Sequence, residues 1–432
     1  MDSSICPTTP LPEEHPFQDQ EPPLYPQPND VTVSSQDSLQ DQICFLRTVE
    51  AFRCYSHHAA AVLSLRRDHF QQLTMEHASL LGIDVDAVIF QPYANGIFEN
   101  QKFLDVLCDN AYTLFESYWP NVDRAQVSRG ANVKPNALDV DKVHSTLRQA
   151  VRDWSVEGQP EREVVHQPLR NTLCTLFPDR STRCAVRVLV PGAGLSRLAV
   201  DLAALGFSAS GNEFSYHMLI AGHVIMNHMR SAREYKIYPY IESTVNLVSR
   251  KDQSLGVDIP DVCTFQMQEA LESHNLQLGD LSMIAGDFVE VFSKPCEAGQ
   301  WHAVASCFFI DTAHNIIEYL CIFYQLLVPG GLFINVGPLL YHFSEGVASP
   351  KEKEKEVASS DNHSKQLSDV EESNISIELS LEEVLCVAAN IGFLLTAPPT
   401  LLDSTYTNNP RSMKQMIFKS AFFVLQKPFQ VT

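Results

Sequence analysis

The chain has 432 residues, 45% of them hydrophobic, enough for one large α/β domain preceded by a helical domain, or for two ordinary domains. Its formal net charge of -21 works against polyanion binding, because a surface that repels phosphates forfeits counterion release, so no nucleic-acid partner is expected. The 11 cysteines are scattered, with no Cys-x-x-Cys pair and no cluster with histidines, a pattern of reduced thiols rather than of a zinc site, so no metal is expected.

Residues 1–38 are rich in Pro, Gln, Asp, Glu and Ser and poor in aliphatics, so they read as a disordered tail. No Lys or Arg precedes Arg47 and no apolar stretch approaches the ~18–20 residues of a bilayer span, so neither a targeting leader nor a membrane partner is expected. The expected compartment is the cytosol, with the nucleus also open; a homodimer is compatible with the sequence. From Asp41 to Phe177 apolar residues recur three and four apart, as in Phe45, Val49, Phe52 and again Phe103, Leu104, Leu107, Ala111, Leu114, Phe115. Residues 39–180 are therefore assigned to a helical N-terminal domain.

After Arg183 the period changes. Ala185 to Val190 reads as a strand ending in Pro191-Gly-Ala-Gly194, and Leu195, Leu198, Leu202 and Leu205 follow at helical spacing. Ser208–Asn212 reads as a strand, Tyr216–Met229 as a helix, Leu281–Ala285 and Val304–Ile310 as strands, Ile316–Leu327 as a helix and Leu332–Val336 as a strand. The stretch 344–374, with Lys351-Glu-Lys-Glu-Lys-Glu356, carries no apolar period and reads as a polar, disordered insertion. A helix Ser380–Asn390, stopped by Gly392, and an antiparallel strand Ala421–Gln426 close the fold. The fold class is α/β: a doubly wound, Rossmann-like sheet over 181–343 and 375–432, preceded by the helical domain.

In open α/β sheets ligands bind beyond the carboxyl ends of the strands. Gly192 and Gly194 allow close backbone approach after the first strand. Glu213 follows the second, 21 residues beyond Gly192, where a carboxylate accepts from both ribose hydroxyls. Asp287 and Phe288 follow the next, suited to an adenine amine and ring face, and Cys307 with Phe308 closes the one after. The place of a third dinucleotide glycine is taken by Arg197, which favours S-adenosylmethionine, without a pyrophosphate, over NAD and an oxidoreductase.

The runs Pro191-Gly-Ala-Gly-Leu-Ser-Arg-Leu-Ala199, Gly211-Asn-Glu-Phe-Ser215, Gly286-Asp-Phe288, Cys307-Phe-Phe-Ile-Asp-Thr-Ala-His-Asn315 and Asn335-Val-Gly-Pro-Leu-Leu-Tyr-His-Phe343 closely resemble the carnosine N-methyltransferase (N2227-like) family. Arg152-Asp-Trp-Ser-Val-Glu-Gly-Gln-Pro-Glu-Arg162 and Ser404-Thr-Tyr-Thr407 resemble it as well, over roughly 141–427 in all. The resemblance implies methyl transfer from S-adenosylmethionine to an imidazole nitrogen of carnosine, giving anserine; a protein histidine or another small molecule is the alternative acceptor. It implies cofactor contacts at Gln149, Arg152, Gly192, Glu213, Asp287, Phe288 and Cys307, with the helix bearing Gln149 and Arg152 acting as a lid. It implies substrate contacts at Phe308, Asp311, His342, Tyr406 and Phe418, with Asp311, His342 and Tyr406 catalytic. Asp311 suits the imidazole N–H and His342 and Tyr406 suit the rest of the dipeptide; the structural alternatives are that Asp311 caps a helix starting near Thr312 and that His342 is an interior histidine. Two departures from the family pattern are Phe418, where a tyrosine is usual, and Ser196, where a glycine is usual.

Overall fold

The computed structural model describes residues 35–115, 133–344 and 376–429. The expected tail lies outside them except for its last four residues, which begin a helix, and the expected insertion lies outside them except for Ser344. The chain divides into two compact units, Met1–Gln42 and Ile43–Thr432, and only the second concerns the site.

The helical segments are α1 (Ser35–Arg53), α2 (Tyr55–Gln71), α3 (Met75–Leu81), α4 (Gln91–Asn110), α5 (Ala137–Trp154) and α6 (Gln159–Leu176). Helix α5 starts sharply because Asn136 and Asp139 form a reciprocal capping box, each side chain accepting the other's backbone N–H. Its residues Val143, Leu147, Ala150, Val151 and Trp154 are buried in one apolar cluster with Phe52, Phe103 and Leu107. That cluster also holds Ile220 and Val224 of α8 (Tyr216–Asn227), so the helices pack onto the sheet's own helix and share one unit with it.

The sheet contains β1 (Arg187–Pro191), β2 (Ser208–Glu213), β5 (Leu281–Ala285), β6 (Trp301–Cys307), β7 (Leu327–Gly337), β8 (Leu394–Leu395), β9 (Thr400–Ser404) and β10 (Phe418–Gln426). Its order is β5-β2-β1-β6-β7-β10-β8, with β9 also paired to β10. The first four pairings are parallel and β10 runs antiparallel to β7. A separate hairpin joins β3 (Tyr235–Ile237) to β4 (Val257–Ile259). The chain winds outward from β1 through β2 to β5 and then returns to the other side of β1 with β6, so the crevice between β1 and β6 is the topological switch point.

Side chains on β1 alternate: Val188 and Val190 meet α6 and α7 (Arg197–Ala204), whereas Leu189 faces α11 (Phe288–Phe292), α12 (Ile316–Leu326) and α13 (Leu381–Ile391). Each face is thus covered by helices, the condition for a parallel sheet. Two short helices, α9 (Arg250–Gln253) and α10 (Thr264–Ser273), lie between β3 and β5. No helix among the described residues is long and apolar enough to cross a membrane.

Candidate functional site

The turn after β1 is a backbone cradle. Gly192 has φ +60°, and a Cβ there would enter the Phe309 ring, so only glycine fits. Gly194, at φ +54°, donates its N–H to Glu213 Oε2 at 2.8 Å. Glu213 also accepts from the Phe214 and Ser215 amides at 2.9 and 2.8 Å. Burial pushes its pKa up and these three amides pull it down, leaving it above the usual carboxylate value. Ser196 sits in the left-handed region at φ +68°, the position where glycine is usual in the resembled family.

The last turn of α5 delivers Gln149, Arg152 and Asp153, all buried, to the switch point. Asp153 accepts from Gln149 Nε2 at 2.8 Å and from Arg152 Nη1 at 2.7 Å. Arg152 Nη2 lies 3.9 Å from the Cys307 sulfur, and its guanidinium stands 4.9 Å from the Tyr406 ring centre and 5.8 Å from that of Phe308. Its Nε makes no hydrogen bond among the described residues and faces Glu161 Oε1, likewise unbonded, at 3.9 Å. The two form a buried ion pair whose separation is too long for a hydrogen bond.

Behind this turn lies an ion network absent from the sequence-based site. Asp261, after β4, pairs with Arg162 of α6 and with Arg197 of α7, the latter at 2.6 Å. Arg197 also donates to the Asp153 carbonyl at 2.8 Å and to Asp201 at 2.9 Å, and it lies 5.1 Å from the Trp154 ring centre. Arg162 donates to the carbonyls of Arg152 and Ser155. The residue in place of a dinucleotide glycine therefore ties the end of α5 to α7.

Phe308 takes φ +53° at the end of β6, a conformation seldom tolerated by a bulky residue and concentrated at functional sites. Its N–H donates to Val336 O at 2.9 Å, and Gly337 lies close beside it, where a Cβ would approach the Phe308 backbone at 3.2 Å. The Phe308 ring packs 4.9 Å from Tyr406 and 6.0 Å from Phe418. Tyr406 is set by its loop: Asn408 N–H donates to Glu161 Oε2 at 3.3 Å and Tyr240 OH donates to Asn408 O at 3.0 Å. Tyr406 keeps 42% of its surface exposed, so the ring is a face open to the cleft and not a packed core group.

Asp311 is buried in the 3-10 turn Ile310–Thr312, where Oδ2 accepts the Leu340 N–H at 2.9 Å and its carbonyl accepts the His342 N–H at 3.0 Å. It caps no α-helix, since α12 is capped by Asn315. His342 is exposed, not interior. Asp287 caps α11 through the amides of Val289 and Glu290. Phe288 is 3% exposed and its ring is enclosed by Phe292, Phe309, Tyr319 and Phe323, all with centres within 5.3 Å. That gives the ring a packing role in the sheet's core in place of an open face for a base.

One cavity is shared by Gln149, Arg152, Asp153, Gly192, Cys307, Phe308 and Tyr406, and also by His166 and Arg197. A roomier groove of about 550 Å³ runs along the edge strand β5, between α8 and α10, with Leu219, His223 and Phe265 in its walls. It lies toward the start of β5 and away from the strand ends where the charged residues converge, so the smaller cavity is the better candidate site. Among the described residues no cluster of three or more His, Cys, Asp or Glu is placed to hold a metal.

A family model described as carnosine N-methyltransferase matches residues 129–429. The carnosine N-methyltransferase of Mus musculus is 34% identical over 389 residues, spanning 89% of this chain and 86% of that protein. The one from Schizosaccharomyces pombe is 35% identical over 396 residues, spanning 90% and 97%. Among solved structures, the magnesium protoporphyrin IX methyltransferase of Synechocystis aligns at 12% identity and a TM-score of 0.32, covering 73% of this chain and 99% of that one.

Proposed function

The chain belongs to the carnosine N-methyltransferase family, and on that premise we propose that it moves the methyl group of S-adenosylmethionine to an imidazole nitrogen of carnosine, giving anserine, or of a related His-containing dipeptide. The observation that carries the reading is the meeting of lid and sheet at the end of β6, where Arg152 stands over Phe308 and Tyr406 and beside Cys307.

The residues present suit this cofactor. The glycine cradle at 192 and 194 admits a ligand to the backbone, Glu213 suits the ribose hydroxyls and Asp287 the adenine amine. Arg152, with its unbonded Nε, suits the methionine carboxylate, with Gln149 beside it. When bound, S-adenosylmethionine supplies an electrophilic methyl on a sulfonium.

The chain's own work is orientation and charge. Methyl transfer to imidazole needs one nitrogen with a bare lone pair aimed at the methyl while the other keeps its proton. Asp311, its carboxyl group oriented by the Leu340 amide, accepts that N–H, which fixes the tautomer and favours the positive charge that grows on the ring in the transition state. Burial pushes the Asp311 pKa up while the Leu340 amide and His342 pull it down; the ionised carboxylate is the working form, so turnover falls as the group protonates. Free imidazole, with a pKa near ~6.5, is largely neutral at pH 7, so no strong base is required to make the nucleophile. Phe308 and Phe418 form an aromatic wall for the ring, and His342 and Tyr406 hold the remainder of the dipeptide.

The test is mass spectrometry of the product formed from carnosine and isotopically labelled S-adenosylmethionine, beside a histidine-containing protein as competing acceptor. Methyl on the carnosine imidazole is expected. Label on the protein with none on carnosine would replace the dipeptide reading. In Asp311→Asn, turnover should be lost while S-adenosylhomocysteine still binds.

A further inference from the structure

The arginines that meet behind the end of β6 are all matched: Arg152 by Asp153 and Glu161, Arg162 by Asp261, and Arg197 by Asp201 and Asp261. Arg148, one turn before Arg152 on α5, is not. It is half-buried, and its guanidinium makes no hydrogen bond, ion pair or ring contact among the described residues. Helical spacing fixes where it stands. Arg148 and Arg152 lie about 40° apart around α5, and Gln149 lies about 60° beyond Arg152 on the far side. Gln149 holds the cradle side, its Nε2 3.4 Å from where a Cβ of Gly194 would stand, and Arg152 looks onto Tyr406 and Phe308. Arg148 therefore continues the stripe away from the cradle, between Arg152 and His144, which pairs with Glu242 at 3.2 Å. Two residues before Glu242, Tyr240 donates its OH to Asn408 O in the Tyr406 loop at 3.0 Å. Arg148 and Arg411 are the cations that oppose the upward push of burial on the Tyr240 phenol, so both stand near that loop; Arg411 has Asp252 at 3.8 Å and Arg148 has no carboxylate.

We propose that Arg148 is a specificity residue of the acceptor site, which receives a carboxylate carried by the imidazole compound and so favours acceptors with a free carboxylate over those without one. The assignment rests on the acceptor reading above. Such an acceptor brings a negative charge into a cleft where the buried arginines already have their own carboxylates, so its partner has to be a cation that is still unmatched. A guanidinium offers two parallel N–H groups to a carboxylate and holds it in one orientation. The carboxylates nearest this stripe, Glu242 and Glu161, face His144, Arg152 and the Asn408 amide and leave Arg148 open. Its half-buried position keeps the charge in contact with water until the acceptor arrives, so the empty site carries no uncompensated buried ion. Because Arg148 shares a helix with Arg152, its distance from the Phe308 and Tyr406 rings is fixed by backbone geometry, and the imidazole and the carboxylate of one acceptor are gripped from the same helix face.

Steady-state kinetics on the full chain with two acceptors tests this. They are carnosine and β-alanylhistamine, which keeps the amine and the imidazole but lacks the carboxylate. In the unaltered protein the KM for β-alanylhistamine should stand about tenfold above that for carnosine, with kcat values within twofold. In Arg148→Ala the KM for carnosine should rise about tenfold to meet that of β-alanylhistamine, whose own KM should stay within twofold, and kcat should hold. Isothermal titration calorimetry should find S-adenosylhomocysteine bound as before, which a merely structural role for Arg148 would not give. Arg148→Lys, which keeps the charge but not the fork, should fall in between. Equal KM values for the two acceptors in the unaltered protein overturn the assignment without any variant. An equal rise for both acceptors in Arg148→Ala, or a rise for neither, overturns it as well. An unaltered protein that binds S-adenosylhomocysteine but methylates neither acceptor overturns the acceptor reading itself, and the role of Arg148 with it.

Discussion

Removing the Asp261 carboxylate tests the claim that an ion network holds the end of α5 in place. Asp261 gives one oxygen to Arg162 and the other to Arg197, side chains that are only 2% and 10% exposed. Taking one member from a buried charge group costs about 3–5 kcal/mol, because the partners are left uncompensated. In Asp261→Ala, Arg197 keeps Asp201 and the Asp153 carbonyl, and Arg162 keeps two carbonyls, so the lower end of that range, about 3 kcal/mol, is expected. The unit Ile43–Thr432 unfolds with an entropy of about 0.8 kcal/mol/K at the usual per-residue value, so its melting temperature should drop by ~4 °C. Differential scanning calorimetry reads this directly. Because Arg162 also holds the Arg152 carbonyl, S-adenosylhomocysteine should bind more weakly as well. Asp261→Asn, which keeps an acceptor oxygen but loses the charge, should fall in between. A drop below ~1 °C in Asp261→Ala would refute the dependence of the two arginines on this carboxylate.

Gly192→Ala places a methyl in the Phe309 ring at a left-handed φ and should eliminate thermal stabilisation by S-adenosylhomocysteine; a preserved ligand shift would contradict the cradle. Ser196→Gly relieves a left-handed serine and should stabilise the fold by about 0.5–1 kcal/mol, the strain relieved less glycine's extra entropy; a lower melting temperature would refute this and show that the Ser196 contact with the Met283 sulfur at 3.1 Å outweighs the strain. Glu161→Ala should raise the acceptor KM several-fold by freeing the Asn408 amide that sets the Tyr406 loop, and Glu161→Gln, which keeps an acceptor for it, should raise it less; equal effects would mean the charge alone matters. His217 is held down to about 4, by burial first and then by Lys142, so it stays neutral in the fold while its unfolded counterpart protonates near ~6.5. Stability is therefore lost as pH falls from about 6.5 toward 4, by roughly 2–3 kcal/mol, and a His217→Gln variant should show a flatter melting profile over that window; an unchanged slope would remove His217 as the cause. Asp201, held well below the carboxylate range, loses its contribution only at still lower pH.

The parts of the fold that announce themselves in the sequence are those whose surroundings are repetitive. β1, β2 and β5 are short runs between glycine-bearing turns and amphipathic helices, and α13 is framed by the Ser380–Glu383 capping box and by Gly392 at φ +117°. The cradle glycines and Glu213 follow from strand ends alone. The β3–β4 hairpin leaves no such trace, because three-residue strands offer no period to read. β6 reads as continuing to Ile310 but ends at Cys307, since Phe308 turns into the left-handed region and nothing in a phenylalanine signals that. The ion network escapes for a different reason: Asp261 lies 64 and 99 residues from its partners, and an isolated charged residue reads as surface. The one local hint is Arg197 itself, opening a helix whose next three residues are all buried, with Asp201 four positions on.

Buried ion pairs are often no more stabilising than well-packed apolar groups of the same size, so stability alone does not explain why this chain keeps Arg162 and Arg197 with Asp201 and Asp261 behind the last turn of α5. Direction does. Apolar packing between α5 and the sheet would resist separation but tolerate sliding, whereas forked guanidiniums fix distances along defined axes. The forks converge on the segment where placement matters: Arg197 on the Asp153 carbonyl, and Arg162 on the carbonyls of Arg152 and Ser155. The same turn sends Gln149, Arg152 and Asp153 into the cleft while Trp154 donates to the Leu195 carbonyl in the loop after β1. The end of α5 and the turn after β1 are thus held by bonds to each other's backbones, so α5 from its Asn136 cap and the sheet form one mechanical unit.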